Sequence, residues 1–124
     1  MVNNMRKRVM SQGKMTKEEA NKILRQVKED NAFHFYKSID VPTCITARSL
    51  QEFHDVLRGV EPSSVEFHIA RGDFENWVKM LGDMTLAKQI ESLKSKGLHA
   101  DEVRKLLILL VRLRIGRLRK TASS

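Results

Sequence analysis

The sequence predicts a mainly α fold: a compact bundle of five to six short helices, with one short β hairpin or none, and basic extensions at both ends. Apolar residues recur at helical spacing, as Phe74, Trp77, Val78 and Leu81 do at i, i+3, i+4 and i+7. Capping signals that open helices also alternate with glycines that end them. A chain of 124 residues with 41% hydrophobic residues is long enough for one domain around one core.

The first third of the chain has one helix signal followed by a stretch of different character. Thr16 and Glu19 form a capping box, which opens a helix predicted over residues 17–28. Residues 33–36 alternate in polarity, which indicates a short extended stretch, with a continued helix as the alternative. Residues 41–43 are predicted to be loop, because the residue before a proline avoids helical geometry.

The middle of the chain predicts a series of short helices. Ser49 with Glu52 opens the first, Ser63 with Glu66 opens the second, and aspartates following glycines can cap the next two, at Asp73 and Asp83. Glycines are expected to end these helices, at Gly59, Gly72, Gly82 and Gly97.

The last predicted helix runs from about His99 to Lys120 and combines apolar and basic residues. At about 100° per residue, four of its basic side chains fall within one sector: Arg104, Lys105, Arg112 and Arg119. Another side is apolar, with Val103, Leu106, Leu107, Leu110 and Leu118. Ile108, Leu109 and Ile115 interrupt the basic side, so the apolar surface is wider than one stripe. Such a helix is expected to be deeply buried at its start or shared with another chain.

Positive charge is concentrated at the two ends of the chain. Residues 1–17 and residues 112–124 each carry a charge of +5 and no acid, whereas residues 18–111 carry −2. The predicted organisation is therefore a basic mobile arm over residues 1–15, a globular helical domain over 16–111, and a basic helix end and tail over 112–124. Blocks of one sign repel themselves and are typical of segments that bind a partner of the other sign.

From this charge distribution we expect a non-enzymatic nucleic-acid-binding protein, with RNA and the ribosome as the favoured partner. The expected phosphate-binding residues lie in both basic blocks and on the last helix: Arg6, Lys7, Arg8, Lys14, Lys17, Arg104, Lys105, Arg112, Arg114, Arg117, Arg119 and Lys120. RNA is preferred over DNA because no segment resembles a major-groove reader; the start of the last helix, the best candidate, is acidic. DNA binding remains an alternative.

A second class of function is protein interaction through the last helix. Homodimerisation or another protein partner would use its apolar surface, at Leu106, Leu109, Leu110 and Leu113. A membrane surface is less favoured as a partner, because the apolar side of this helix lacks the Trp and Phe typical of interfacial helices. The single cysteine and the polar N-terminus favour a cytoplasmic protein.

The sequence gives little support for metal binding or catalysis. No His or Cys lies three to five residues from another, as a zinc site normally requires, so we expect no metal and no cofactor. The acids at Asp73, Glu75 and Asp83 are explained by helix starts, and Cys44 has no neighbouring base that would activate it. We therefore expect no catalytic residue. The helical spacing of the larger aromatic side chains indicates core packing rather than base stacking, at Phe53, Phe67, Phe74 and Trp77.

Two runs in the middle of the chain carry a family resemblance. Residues 71–78 read Arg-Gly-Asp-Phe-Glu-Asn-Trp-Val, and residues 81–83 read Leu-Gly-Asp. With these runs the chain resembles a small archaeal and bacterial family of unknown function, over about residues 32–90. The resemblance implies a compact domain and assigns no active site. Where a glycine is expected after Thr43, this chain has Cys44, so a different turn is expected there.

Overall fold

The computed structural model describes residues 14–124 as six helices and one two-stranded antiparallel sheet. The helices are α1 (Lys17–Leu24), α2 (Leu50–Leu57), α3 (Pro62–Arg71), α4 (Asp73–Leu81), α5 (Met84–Lys94) and α6 (Ala100–Ala122). Strands β1 (Phe33–Ser38) and β2 (Val41–Ala47) form a hairpin between α1 and α2, and a 3-10 turn (Glu29–Asn31) precedes β1. The mainly α prediction, with one short hairpin, is confirmed.

Thr16 and Ser49 open α1 and α2 as predicted. Thr16 accepts a hydrogen bond from the Glu19 N–H at 3.0 Å, and the Glu19 carboxylate accepts one from the Thr16 N–H at 2.8 Å, so this capping box is complete. Ser49 accepts from the Glu52 N–H at 3.1 Å at the start of α2. Here the Glu52 carboxylate accepts instead from the Arg48 N–H at 2.8 Å. Both helix starts were therefore predicted from the sequence.

Two other predicted caps are wrong. Ser63 lies inside α3, which begins at Pro62 and has no side-chain cap; proline is favoured there because its missing N–H would have no helical partner. Asp73 begins α4 without capping it, because its carboxylate accepts from His68 and Arg71 instead. Gly72, in the left-handed conformation with φ 75°, both ends α3 and precedes α4.

Helix α1 is shorter than predicted. It ends at Leu24 rather than at residue 28, because the following chain is extended. The backbone N–H of the buried residue Val27 donates to the Arg48 carbonyl at 2.7 Å, a long-range bond that a continued helix would lose.

The hairpin extends further than the sequence indicates. Phe33 pairs with Ala47 and Phe35 with Ile45, so both phenylalanines face the core. The prediction of a loop over residues 41–43 is wrong, since these residues begin β2. Pro42 is tolerated there because it lies where the register shifts, in a sheet whose two strands are both edges.

Cys44 explains one of the two register shifts in the hairpin, the one between Phe35 and Tyr36. Its φ is +65°, the left-handed region that glycine adopts at little cost. A residue in this conformation is typical of a β-bulge, where one strand carries an extra residue. The glycine expected at this position would suit the observed backbone better than the exposed cysteine does.

The core is centred on aromatic rings contributed by the hairpin and by α2 and α4. Phe33 contacts Phe53, Phe74 and Trp77 with ring centroids 5.1–5.8 Å apart, and Phe35 joins them. These contacts confirm the core prediction for three of the four aromatic residues assigned to it. Phe67 is the exception: it is only half-buried.

Helix α6 completes the core and packs against α1, α2, α3 and α5. Its buried side is the stripe Val103, Leu107, Val111, Ile115 and Leu118. Of the apolar residues on this helix, Ile115 lies in the core, whereas Leu106, which was predicted as part of a surface for a partner, is exposed. Helix α6 is unbroken to Ala122, and its last two core residues, Ile115 and Leu118, lie in the segment 112–124 that was predicted as a basic helix end and tail.

Candidate nucleic-acid interface

The structure brings the described parts of the two basic segments together at one end of the molecule. Lys14 and Lys17, before and at the start of α1, line an open groove of about 560 Å³ with Thr121 and Ser124, at the end of α6. This proximity follows from the packing of α1 along α6. Arg6, Lys7 and Arg8 lie outside the described residues.

Two basic residues of α6 next to this groove are exposed. Arg117 lies one helical turn before Thr121, and Lys120 directly precedes it. Within residues 14–124, neither side chain forms an ion pair. Both charges therefore face solvent at the same end of the molecule as Lys14 and Lys17, and we call these four residues the basic pole.

Arg112 and Arg119 lie along a second, smaller groove of about 160 Å³ between α6 and α2. Arg112 donates to Nε2 of His54 at 3.3 Å, and Arg119 donates to Oε1 of Gln51 at 2.6 Å. His54 in turn bonds through Nδ1 to Asp55 at 3.0 Å, and this hydrogen bond lowers the pKa of that carboxyl. The direct partners of the two arginines are a ring nitrogen and an amide oxygen, so each guanidinium is oriented without being paired directly with a carboxylate.

Arg114, although predicted as a phosphate-binding residue, faces the interior. Its Nε and Nη2 donate to the two carboxylate oxygens of Asp83 at 2.7 and 2.9 Å. The Asp83 side chain is 1% exposed and that of Arg114 is 14% exposed. A two-point pair of this kind is strong and specific, so Arg114 already has its anion within the protein.

Arg104 and Lys105 also have intramolecular partners. Arg104 donates to the carbonyls of Leu57 and Arg58 at 3.0 and 3.1 Å, where α2 ends and its backbone acceptors are free. Lys105 pairs with Asp101 at 3.2 Å and lowers the pKa of that carboxyl. Fifteen residues of helix, about 22 Å, separate Lys105 from Lys120, so Arg104 and Lys105 do not belong to the basic pole.

Another pocket, of about 460 Å³, contains a hydrogen-bonded network that the sequence did not indicate. His68 bonds through Nδ1 to Asp73 at 2.9 Å, and its Nε2 accepts from the Tyr36 N–H at 2.9 Å. Arg71 also donates to Asp73, at 3.0 Å, and its guanidinium lies 5.1 Å from the centre of the Phe67 ring. In the sequence, the sign of this network is a histidine five residues before an aspartate, with a helix-ending glycine between them.

This network has the geometry of a structural element. Both nitrogens of the His68 ring have partners within the protein, so neither is free to transfer a proton to a ligand. Burial lowers the pKa of His68, outweighing the opposing effect of the Asp73 carboxylate, and so favours the neutral ring. The bonds of His68 tie α3 to the hairpin and to α4.

Neither a metal cluster nor a membrane-crossing helix occurs in the part of the chain that the structure describes. Over residues 14–124, His, Cys, Asp and Glu side chains do not gather in groups of three or more that could hold a metal ion. In the same range, no helix has both the length and the apolar character needed to cross a bilayer.

Comparison with protein families assigns the chain to a family without assigning an activity. Residues 1–112 match the model of a family of unknown function, DUF5752. The chain belongs to the DUF5752 family. Searches of curated proteins and of solved structures gave no match.

The DUF5752 match is longer than the resemblance over residues 32–90 indicated, and it ends inside α6. It includes the predicted basic residues up to Arg112 and stops before the remaining four on α6: Arg114, Arg117, Arg119 and Lys120. Half of the basic pole, Lys14 and Lys17, therefore lies within the DUF5752 match, and half lies beyond it.

Proposed function

We propose that this protein binds nucleic acid without catalysing a reaction, and that its ligand is RNA, in particular the RNA of the ribosome. The observation that carries the proposal is the shared groove: Lys14 and Lys17 line it with Thr121 and Ser124, at the end of α6 that also carries Arg117 and Lys120. Basic segments that are remote in sequence thus present their charge on one surface, which is what binding a polyanion requires.

The surrounding residues support binding to phosphate groups. Arg112 and Arg119 lie on the same half of α6 and are held by direct partners that leave their charge in place. A guanidinium can donate two parallel hydrogen bonds to one phosphate, so oriented arginines suit this ligand. Arg6, Lys7 and Arg8 lie outside the described residues, and we propose them as further phosphate-binding residues on the basis of their charge alone.

The choice of RNA rests on the shape of the proposed surface. The basic pole is formed by a helix end and by the chain that leads into α1, whereas sequence-specific DNA readers commonly insert a helix or ribbon into the major groove. Basic segments suit the irregular surface of a folded RNA. We also propose a cytoplasmic location and an archaeal or bacterial source, in line with the family resemblance, and keep DNA as the alternative ligand.

The proposal is tested by removing charge from the basic pole and, separately, from another surface. The test variant replaces Lys14, Lys17, Arg117 and Lys120 with Gln, which leaves the ion pair of Arg114 intact. The matched control removes the same charge from exposed lysines elsewhere, at Lys79, Lys88, Lys94 and Lys96. Binding of both variants to ribosomal RNA fragments and to duplex DNA of equal length is measured between about 50 and 200 mM salt.

We expect the test variant to bind RNA much more weakly, because each phosphate that a basic side chain binds releases a counterion. The slope of log affinity against log salt should flatten by about 0.7–0.9 for every phosphate that is no longer bound, or roughly 3 for the four residues. The control should keep a slope close to that of the unmodified protein. Equal decreases in affinity for both variants would contradict a localised site, and an affinity that does not change with salt would contradict nucleic-acid binding altogether. Tighter binding to duplex DNA would favour the alternative ligand.

Protein interaction is the second candidate function, favoured by a different observation. Leu109 and Leu113 on α6 are 47% and 60% exposed, although the same helix already contributes a full stripe to the core. Large leucines exposed on one helix are typical of a surface that another protein covers.

A further inference from the structure

Helix α6 carries a second apolar stripe on the side that faces solvent. Leu106, Leu109 and Leu113 are 40%, 47% and 60% exposed, and Leu110 is half-buried. At about 100° per residue these four leucines lie within roughly 100° of one another. Their sector is turned by about 130° from the buried stripe, so the core does not cover it. We call these four residues the leucine stripe.

Opposite charges extend the leucine stripe at its two ends. Glu102 lies before Leu106 and Arg117 follows Leu113, both within the same sector of the helix. Both side chains are exposed, and within residues 14–124 neither forms an ion pair. One oxygen of Glu102 accepts from the His99 N–H at 3.2 Å, which leaves the other free.

We infer that the leucine stripe binds a second copy of this chain, with the two α6 helices antiparallel. The stripe is symmetric about a point between Leu109 and Leu110: Leu106 and Leu113 are equally far from it, as are Glu102 and Arg117. A twofold axis through that point places each leucine opposite a leucine of the partner. It also places each Glu102 opposite an Arg117 of the partner.

This self-complementarity is what a symmetric dimer requires, since the same patch must fit itself after a twofold rotation. A parallel pair would instead place Glu102 beside Glu102 and Arg117 beside Arg117, and like charges at an interface are unfavourable. The contacts of Arg114 with Asp83 and of Arg112 with His54 mark where α5 and α2 flank α6, on the two sides of the leucine stripe.

The first test measures the oligomeric state by sedimentation equilibrium between about 1 and 200 µM protein. We expect the unmodified protein to form a dimer in this range and Leu109→Glu with Leu113→Glu to be monomeric with unchanged helix content. The matched control is Met84→Glu, which changes an equally exposed apolar residue on α5 and should remain dimeric. A monomeric unmodified protein at 200 µM, or a dimer that survives the leucine changes, would overturn the inference.

The second test determines the orientation by exchanging charges. In an antiparallel dimer Glu102→Arg and Arg117→Glu each create two repulsive contacts, so each should raise the dissociation constant by about tenfold. The two changes together restore both pairs and should return the constant to near its original value.

A parallel dimer gives a different pattern, because each charged residue then lies beside the same residue of the second copy. Neither single change would weaken that dimer, and combining them would rescue nothing, so this outcome would overturn the antiparallel arrangement. Glu102→Arg also removes the hydrogen bond to the His99 N–H. Because the double variant lacks the same bond, a recovery of the dissociation constant reports the restored charge pairs. The test is also independent of nucleic-acid binding, since it uses protein alone.

Discussion

Asp83 is the residue through which α5 and α6 are joined. One of its oxygens accepts from the Leu86 N–H at 3.0 Å and caps α5, and the two oxygens together hold Arg114. Because the carboxylate is 1% exposed, water cannot replace the arginine if the pair is broken. The cap was predicted from the sequence; the ion pair could not be, since its partner lies 31 residues away.

We expect Asp83→Asn to lower the free energy of unfolding by about 3 kcal/mol, because it leaves the Arg114 charge poorly paired in a mostly buried place. Asparagine keeps a cap for α5, so the decrease reports the ion pair. Urea denaturation measures the change. Adding Arg114→Met should recover part of the stability, since it removes the remaining charge; a double variant no more stable than the single one would contradict this explanation.

His68 gives the stability of the fold a dependence on pH. Burial lowers its pKa in the folded protein below the ordinary value of 6.5. The unfolded chain therefore takes up a proton first as the pH falls, and folding loses free energy from about pH 6.5 downwards, until the folded form is protonated as well. The melting temperature should be lower at about pH 5.5 than at about pH 7.5. The variant His68→Gln should show a smaller difference between the two; an equal difference would assign the effect to other groups.

Cys44 is held in a conformation that suits glycine better. Its φ of +65° costs a residue with a Cβ on the order of 1 kcal/mol, and its exposed side chain gains little from packing. Cys44→Gly should therefore raise the free energy of unfolding by about 0.5 kcal/mol, after allowance for the greater freedom of glycine in the unfolded chain. Cys44→Ala, measured in the same way, should not stabilise the protein because it keeps the strain.

At the scale of single elements, α4 is anchored by one tryptophan. Trp77 contacts the rings of Phe33 and Phe53, and its Nε1 donates to the Asn31 carbonyl at 2.8 Å. The side chain thus joins α4 to α2 and to the chain that enters β1. The helical spacing predicted its burial, but the hydrogen-bond partner lies in a 3-10 turn that the sequence did not indicate.

Trp77→Ala should lower the free energy of unfolding by about 3–5 kcal/mol, because it leaves a large cavity among the aromatic rings. Trp77→Phe should cost less, since a ring still fills much of the space and the main change is the removal of one hydrogen bond. Thermal unfolding of the two variants distinguishes these contributions. If Trp77→Ala keeps its melting temperature and loses nucleic-acid affinity, the residue is a stacking platform rather than a core residue.

The hairpin and α6 show where local patterns stop being informative. Alternating polarity indicated β1, but Pro42 argued against β2, and only the pairing with β1 decides that residues 41–47 form a strand. On α6, leucines occupy two sides, and spacing alone does not say which side meets the core. Leu107 is buried and Leu106 exposed because of the positions of the four helices that pack on α6.

At the scale of the whole molecule, the predicted number and order of helices are confirmed. The predicted basic residues do not form one surface, because some are exposed at one end of the molecule and others form hydrogen bonds within the fold. The charges of all twelve predicted residues are evident from the sequence, but distance decides which charges act together. The packing of α1 on α6 places Lys14 and Lys17 at the end of α6, the part of the helix that carries Arg117 and Lys120, while Arg114 and Arg104 form hydrogen bonds within the fold. Such long-range pairings have no local signal.

The stability of the whole domain should depend on the final turns of α6. A chain that ends after Val111 lacks the core residues Ile115 and Leu118 and leaves the Asp83 carboxylate buried without its arginine. Each of these changes costs about 2–5 kcal/mol, and their sum approaches the 5–15 kcal/mol by which a typical domain is stable. We expect this variant to lack a cooperative thermal transition by circular dichroism. A sharp transition would show that α1 to α5 form a domain without the end of α6.

Because α6 follows the other five helices along the chain and packs on four of them, it also sets when folding can finish during synthesis. Translation adds about 5–20 residues each second, so roughly 1–5 seconds pass while the 23 residues of α6 are made. Throughout that interval the apolar faces of α1, α2, α3 and α5 have no cover, and they are of the kind that chaperones bind. The part of the growing polypeptide that forms α1 to α5 is therefore most exposed to misfolding and proteolysis in the interval before α6 emerges from the ribosome.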